Sequence, residues 1–299
     1  MQSVKYYIGI DIGGTNIKAG IVDEQGAILN ETSIPTGADR EQGIVLDDII
    51  SSVNALLNES GVSPTAAGIG SPGSIDCKAG TVIRNFNLGW KDFAIAPAMS
   101  KALGVPVVLE NDADAAALGE VVAGSAKGAK SAMIITLGTG VGSGYVVDGK
   151  IVRGCEFGHM VIVYGGLECT CGRKGCFEAY CSATGLIKMT KESRITEADG
   201  TVNGRTVFDT ADNGNEVARK LIDEYLDYLA CGLANLVNGL QPEVISLGGG
   251  IAKQGERILA PLREKMKREI FGGFSLPRVV CCTLGYKAGL IGAAMAARQ

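Results

Sequence analysis

One phrase is written twice along this chain, and the repeat limits the folds open to it. Residues 6–11 form a short apolar run ending in Asp11. The glycine turn Ile12-Gly-Gly-Thr15, a second run over 18–23, the turn Glu24-Gln-Gly26 and a third run from Ala27 follow. Near the middle, residues 133–137 lead into Gly138-Thr-Gly-Val-Gly-Ser-Gly144, then 145–148, Gly149 and 150–152. Gly14-Thr15 and Gly20 recur as Gly138-Thr139 and Gly144, offset by 124, and Asp23 recurs as Asp148 after one inserted residue. Short apolar runs between glycine turns read as β-meanders. A second echo comes in the same order. Pro64-Thr-Ala-Ala-Gly-Ile-Gly70 and Pro242-Glu-Val-Ile-Ser-Leu-Gly248 are each a short strand entering glycines. Two echoes in one order imply a duplicated unit, each half a meander followed by helix–strand alternation, in the α/β class.

Between these landmarks, residues 43–60 carry helical spacing through Ile44, Ile49, Ile50, Val53 and Leu56, and stop before Gly61. Residues 105–109 are a short apolar run and 113–123 a small-residue helix. Glu110-Asn111-Asp112 therefore sits at a strand-to-helix junction, where α/β sheets bind ligands. The longest helical stripe covers 216–240, and a final apolar helix covers 288–297. The expected division is an N-terminal lobe, 1–121, and a C-terminal lobe, 122–299, with the last helix packing back on the first lobe.

Forty-three glycines in 299 residues is about twice the usual share, and they read as phosphate and turn glycines. No apolar run reaches the roughly 18 residues that span a bilayer, and residues 1–11 enter strand-like sequence with no secretory pattern, so the expected location is cytoplasmic and away from membranes. A net charge of −4 gives no basic footprint for nucleic acid. Nine cysteines in such a chain suit a reducing compartment, where thiols bind metal.

Asp11-Ile-Gly-Gly-Thr-Asn-Ile-Lys18 joins a carboxylate at a strand end to a glycine turn, a hydroxyl, an amide and a lysine. Gly13 and Gly14 would let main-chain N–H groups approach a phosphate beside Thr15 and Asn16; Lys18 would neutralise it and Asp11 would hold Mg2+. A plain hairpin is the competing reading for one such turn. The second copy, Gly138, Thr139 and Gly140, turns the pair into a clasp for the phosphates of ATP. Gly248, Gly249 and Gly250, after a strand, would let adenosine lie on bare backbone, or else make a tight strand-to-helix turn. Asp112 and Asp114 can be read as N-caps of the following helix.

Residues 155–181 hold the only histidine and five of the nine cysteines. His159, Cys169, Cys171 and Cys176 have the ligand types and short spacing of a closed structural zinc site, with Gly172 and Gly175 to double the chain back. The alternative is reduced cysteines packed as small hydrophobes beside one histidine. Cys155 and Cys181 lie outside this knuckle and read as core residues.

The order Asp-x-Gly-Gly-Thr-x-x-Lys, Glu-Asn-Asp-Ala, Leu-Gly-Thr-Gly-x-Gly, Glu-x-Gly-His and Cys-x-Cys-Gly-x-x-Gly-Cys-x-Glu resembles the ROK family of bacterial sugar kinases and repressors. The resemblance runs from Ile8 to about Ala297. It implies the actin-like (ribonuclease H-like) ATPase fold, with two duplicated lobes around a nucleotide and sugar cleft. It also implies Asp112 as general base, and Gly70, Asn85, Asn111, Asp112, Glu156, His159 and Glu178 as the sugar site. One His159 nitrogen would bind zinc while the other faces a sugar hydroxyl. Phe157 and Phe177 depart from the usual aliphatic or tryptophan residues without removing a polar role.

The expected activity is ATP-dependent transfer of phosphate to the 6-hydroxyl of a hexose, glucose first. N-acetylglucosamine, N-acetylmannosamine, fructose and allose stay open, because short motifs do not fix how the 2-substituent is read. A sugar-responsive repressor is disfavoured because Asp11 comes too early for a preceding DNA-binding domain. A non-catalytic sugar sensor is disfavoured by the presence of Asp11, Lys18 and Asp112. A homodimer or homotetramer follows by analogy with the family.

Overall fold

The computed structural model describes residues 4–37, 40–197 and 199–299. Along it run β1 (Tyr6–Ile12), β2 (Asn16–Asp23), β3 (Ile28–Pro35), α1 (Gln42–Ser60), β4 (Ala66–Ser71), β5 (Ser74–Asp76), β6 (Thr81–Asn85), β7 (Trp90–Phe93), α2 (Ile95–Leu103), β8 (Val107–Asn111) and α3 (Asp112–Ala123). There follow β9 (Ser131–Leu137), β10 (Val141–Val147), β11 (Lys150–Ile151), α4 (Phe177–Cys181), α5 (Ala183–Glu192), α6 (Thr206–Asp212), α7 (Glu216–Leu240), β12 (Val244–Gly248), α8 (Gly249–Ala252), α9 (Glu256–Glu269), β13 (Arg278–Cys281) and α10 (Ala288–Ala296). Among the described residues no helix is long and apolar enough to cross a membrane.

Two five-stranded sheets repeat one plan, β3-β2-β1-β4-β8 and β11-β10-β9-β12-β13. In each, the first meander strand pairs in parallel with a later strand, β1 with β4 and β9 with β12, and one more parallel strand ends the row, β8 or β13. The proline–glycine echo marks equivalent strands, β4 and β12. The echoes in sequence are therefore a duplication of topology. The second turn is tighter than its glycines imply: only 138–140 lie between β9 and β10, and Gly142 and Gly144 are strand residues.

Internal contacts gather the chain into two compact units. The first holds the residues up to Lys130 with Gly144–Arg153 and Thr283–Gln299; the second holds Ser131–Ser143 and Gly154–Cys282. A single cut at 121/122 assigns residues 122–130, the distal half of β10 and β11 to the C-terminal lobe, whereas they gather with the first unit; α10 gathers there too.

In the first unit, period-two alternation divides β1 between two layers. Ile8, Ile10 and Ile12 enter a buried cluster with Val45, Ile49 and Val53, which α1 presents one turn apart. Gly9 and Asp11 face the other way, where α10 crosses. All nine residues of α10 are buried, and the helix packs on α3, β1 and β4. A Cβ on Gly9, Gly68, Gly119 or Gly292 would run into main chain of Leu290, Ala293, Ala288 or Ala115 respectively. These four are close-packing glycines, neither turn nor phosphate residues, and they correct the expectation drawn from composition. Overpacking at such contacts costs about 1–3 kcal/mol.

In the second unit α7 occupies the span its stripe predicts. Asn215 accepts from Ala218 N–H at its start, and Leu221, Tyr225, Leu229, Leu233 and Leu236 are buried along it. Fully buried Phe177 lies on Gly232 of α7, where a Cβ would strike its ring, so a missing side chain on the helix makes room for the larger phenylalanine.

Candidate active site

Register alone assembles the first half of the site. Asp11 of β1 pairs with Gly70 of β4, and Gly70 pairs with Glu110 of β8, so the three lie in one row at the carboxyl ends of parallel strands. Asp112 follows two residues on, as the first residue of α3. Asn111 is the cap of α3, and Asp112 Oδ1 shares the Ala113 N–H at 3.0 Å. Asn111 Oδ1 accepts from Ala113 N–H at 2.9 Å and Asp114 N–H at 3.3 Å. Capping thus falls to a residue expected only as a sugar contact, and Asn111 keeps its amide N–H groups for another partner.

Glu110 was assigned no role from sequence, yet it is 2% exposed. Arg153 grips both its oxygens through Nε and Nη2, and Cys77 Sγ lies 3.7 Å away. A buried carboxylate persists only with such a partner, and this one fixes the strand end that carries Asn111 and Asp112. Burial pushes the Asp11 carboxyl from 3.8 up to about 6, against the pull of Lys18, and the charge of Asp112 adds to the rise.

The first glycine turn closes on itself through Gly13 N–H to Asn16 O at 3.0 Å. Thr36 holds it from the end of β3: its Oγ1 donates to Gly13 O at 2.7 Å and its N–H to Thr15 O at 2.9 Å. Lys18 lies beside Asp11 across β1 and β2, and its Nζ sits 4.9 Å from the centre of the Tyr286 ring. Asn85 is buried and largely spent. Its Nδ2 donates to Pro72 O, and its Oδ1 accepts from Asn87 and Leu88 N–H, which ties the segment after Gly70 to the β6–β7 hairpin.

In the second unit the glycine turn is held from α4 and α5. Ala183 N–H donates to Gly138 O at 2.7 Å, Thr184 Oγ1 to Thr139 O at 2.8 Å, and Glu178 Oε2 accepts Val141 N–H at 3.0 Å. A Cβ on Gly140 would strike that carboxylate. Glu156 and His159 bracket a 3-10 turn over Phe157–His159, and its Gly158 lies against the Val141 carbonyl with no space for a side chain. Gly248 of β12 pairs with Thr136 of β9, again at parallel strand ends. Gly249, at φ 85, sits against Leu137 main chain, which satisfies the tight-turn reading of that cluster.

His159, Cys169, Cys171 and Cys176 converge, their ligand atoms all within 4.8 Å of one another. Cys171 Sγ to Cys176 Sγ is 3.7 Å, as is Cys169 Sγ to His159 Nδ1. Two bonds of about 2.3 Å at the tetrahedral angle place sulfurs about 3.8 Å apart, so the donor set has the size a tetrahedral zinc requires. Nδ1 faces the thiols, which leaves Nε2 for a second partner. The Arg173 main-chain N–H holds the Cys171 thiol below its ordinary value, while burial pushes Cys169 and Cys176 up. Cys181 is buried outside the cluster and Cys155 half-buried.

The sequence pattern described as ROK family matches residues 7–299. The chain belongs to the ROK family. Within this family it is 34% identical to a glucokinase of Halalkalibacterium halodurans over 100% of this chain and 96% of that protein. It is 37% identical to a glucokinase of Streptomyces coelicolor over 98% and 97%. Among solved structures, a ROK family glucokinase from Streptomyces griseus in complex with glucose and AMPPNP superposes with a TM-score of 0.77, at 36% identity, covering 98% of this chain and 99% of that one. The fold is the actin-like ATPase fold of ROK kinases.

Thr36, Tyr286, Glu110 and Arg153 are the residues that sequence reasoning missed. The lone hydroxyl after β3 and the buried-charge position at the end of β8 are weak signals without coordinates.

Proposed function

We infer that this chain is an ATP-dependent glucose kinase, which moves the γ-phosphoryl group of ATP to the 6-hydroxyl of the sugar. The reading rests on the full-length match to glucokinases together with Asp11, Gly70 and Glu110 in one row at three parallel strand ends, followed directly by Asn111 and Asp112. Asp112 takes the 6-hydroxyl proton as that oxygen attacks the γ-phosphorus and the bond to the β-phosphate oxygen breaks, leaving ADP. The Asn111 amide, Glu156, His159 Nε2 and Glu178 bind sugar hydroxyls, Gly70 leaves room beside them, and Asn85 braces the segment next to Gly70.

In the first turn the main chain of Gly14, Thr15 and Asn16, shaped by Gly13 and joined by Lys18, binds phosphate; in the second turn the main chain of Thr139 and Gly140, shaped by Gly138, does the same. Gly248, Gly249 and Gly250 carry the adenosine. Asp11 is the Mg2+ residue: its carboxyl, raised to about 6 with Asp112 near, gains from a cation. Bound Mg2+ supplies charge neutralisation at the transferring phosphoryl group. His159, Cys169, Cys171 and Cys176 would hold a structural zinc, which would fix the histidine ring. The enzyme acts in the cytoplasm, at the entry of glucose into glycolysis, as a homodimer or homotetramer, without nucleic acid.

The deciding experiment follows ADP release by the purified protein with glucose, N-acetylglucosamine, N-acetylmannosamine, mannose, fructose and allose. Glucose should give the highest kcat/KM; another winner changes the substrate, and silence across the panel removes the kinase reading. Metal analysis should find about one zinc per chain, and Cys171→Ser should lower both zinc content and melting temperature. Full activity in a zinc-free preparation defeats the zinc assignment.

A further inference from the structure

We propose that Glu178 is a positioning residue that couples the cysteine–histidine knuckle to the second glycine turn and thereby sets nucleotide affinity. The inference rests on the kinase reading above, and gives Glu178 a task beyond a sugar contact. Its carboxylate bridges two parts of the second unit. Oε1 accepts from Thr170 Oγ1 at 3.0 Å, between the ligands Cys169 and Cys171, and Oε2 accepts from Val141 N–H at 3.0 Å, where the turn enters β10.

The remaining anchors of the turn come from the same stretch of chain. Helix α4 starts directly after Cys176, and Ala183 and Thr184, just beyond it, hold the carbonyls of Gly138 and Thr139. Gly140 completes the set, because its missing side chain is what lets the carboxylate approach. Every residue from 138 to 141 is thus touched by the segment that grows out of the knuckle. With the carbonyls of Gly138 and Thr139 tied to α5, Gly138 N–H donated to Gly140 O and Val141 N–H to Glu178, the N–H groups of Thr139 and Gly140 are what a phosphate oxygen would meet. A knuckle that shifts Thr170 loosens Glu178, and the turn loses the carboxylate that orients Val141.

Isothermal titration with ADP in the absence of sugar tests this on wild type, Glu178→Ala, Thr170→Val and the double variant. Glucose affinity and zinc per chain are measured on the same samples. Thr170→Val removes the shorter of the two contacts that the knuckle makes with Glu178 Oε1, the other being Cys169 Sγ at 3.5 Å, and leaves the four metal ligands and the carboxylate in place, so it reports even if Glu178→Ala folds poorly. Loss of a charge-assisted hydrogen bond should weaken ADP binding by about tenfold in Glu178→Ala and about threefold in Thr170→Val. Zinc content should hold, and Thr170→Val should add nothing once Glu178 is gone. Unchanged ADP affinity in Glu178→Ala with only glucose binding lost would overturn the proposal, as would additive effects of the two substitutions. Wild type that binds no ADP at all would instead remove the kinase reading.

Discussion

Gly14-Thr15 and Gly138-Thr139 are one phrase on equivalent turns of equivalent sheets, and the molecule holds them by unrelated means. The first turn is gripped from within its own meander, by the buried hydroxyl and main chain of Thr36. The second is gripped from about 40 residues further along, by Glu178, Ala183 and Thr184. The sheet ends differ as well. The first collects Asp11 and Asp112, whose charges face one another. The second presents glycines, with Glu178 reaching in from α4. The repeat keeps the hairpin while its surroundings differ: carboxylates gather beside the first turn, and a cysteine–histidine cluster leads into the segment that holds the second.

The largest expected break in this comparison is Asp112→Asn. Steady-state assays should show kcat down by about 10²–10⁴-fold with glucose affinity kept, the range expected on losing a general base. A kcat within tenfold of wild type would sink the base assignment.

Paired glycine substitutions come next. Gly14 has open space around a Cβ, whereas Gly140 faces the Glu178 carboxylate. Urea unfolding should put Gly140→Ala about 1–3 kcal/mol below wild type and Gly14→Ala within about 0.5 kcal/mol of it. Equal costs would mean that the approach of Glu178 is not what makes Gly140 necessary.

The two threonine anchors differ in burial. Thr36→Val leaves Gly13 O short of its donor in the interior and should cost about 1.5 kcal/mol, while Thr184→Val loses a bond at the surface and should cost about 0.5 kcal/mol. The same unfolding experiment checks the order, and a reversed order would place the firmer anchor on the second turn.

The smallest effect is a pH dependence confined to the first sheet. The folded-state pKa of Asp11 is raised, so the stability it contributes is full below 3.8 and lost as pH rises through about 6. In Mg2+-free buffer, Asp11→Asn should therefore melt above wild type at pH 7.5 and level with it at pH 4. A melting difference independent of pH would show that Asp11 is not the strained group. With Mg2+ bound at Asp11, the acid limb of wild-type activity should move below pH 6, because a cation favours the charged carboxylate.

Much of this was legible in the sequence for a physical reason: local pattern fixes what depends on neighbours in the chain. The meanders, the 25-residue helix Glu216–Leu240 and the junction at Asn111-Asp112 follow from periodicity and glycine punctuation. The convergence of His159, Cys169, Cys171 and Cys176 follows from one histidine and three cysteines placed within 18 residues around turn glycines. Boundaries moved where a pairing strand extended a run, as at Asn16 and Ser131, which the apolar pattern alone leaves out.

What the tertiary structure decided are matters of distance between remote segments. Gly9, Gly68, Gly119 and Gly292 look like any other glycines until α10 is laid against them. Asn85 reads as a sugar contact, and only the coordinates show that its amide also joins Pro72 to the 87–88 main chain. Glu110 and Glu120 are acids with no motif of their own. Arg153 satisfies one, and Ser125, Thr283 and Leu284 donate to the other. The sequence by itself determined the duplicated fold, the family and the groups able to do chemistry. Which of those groups are spent on packing and capping was decided only in three dimensions, where segments from 13 to 163 residues apart came within hydrogen-bonding distance.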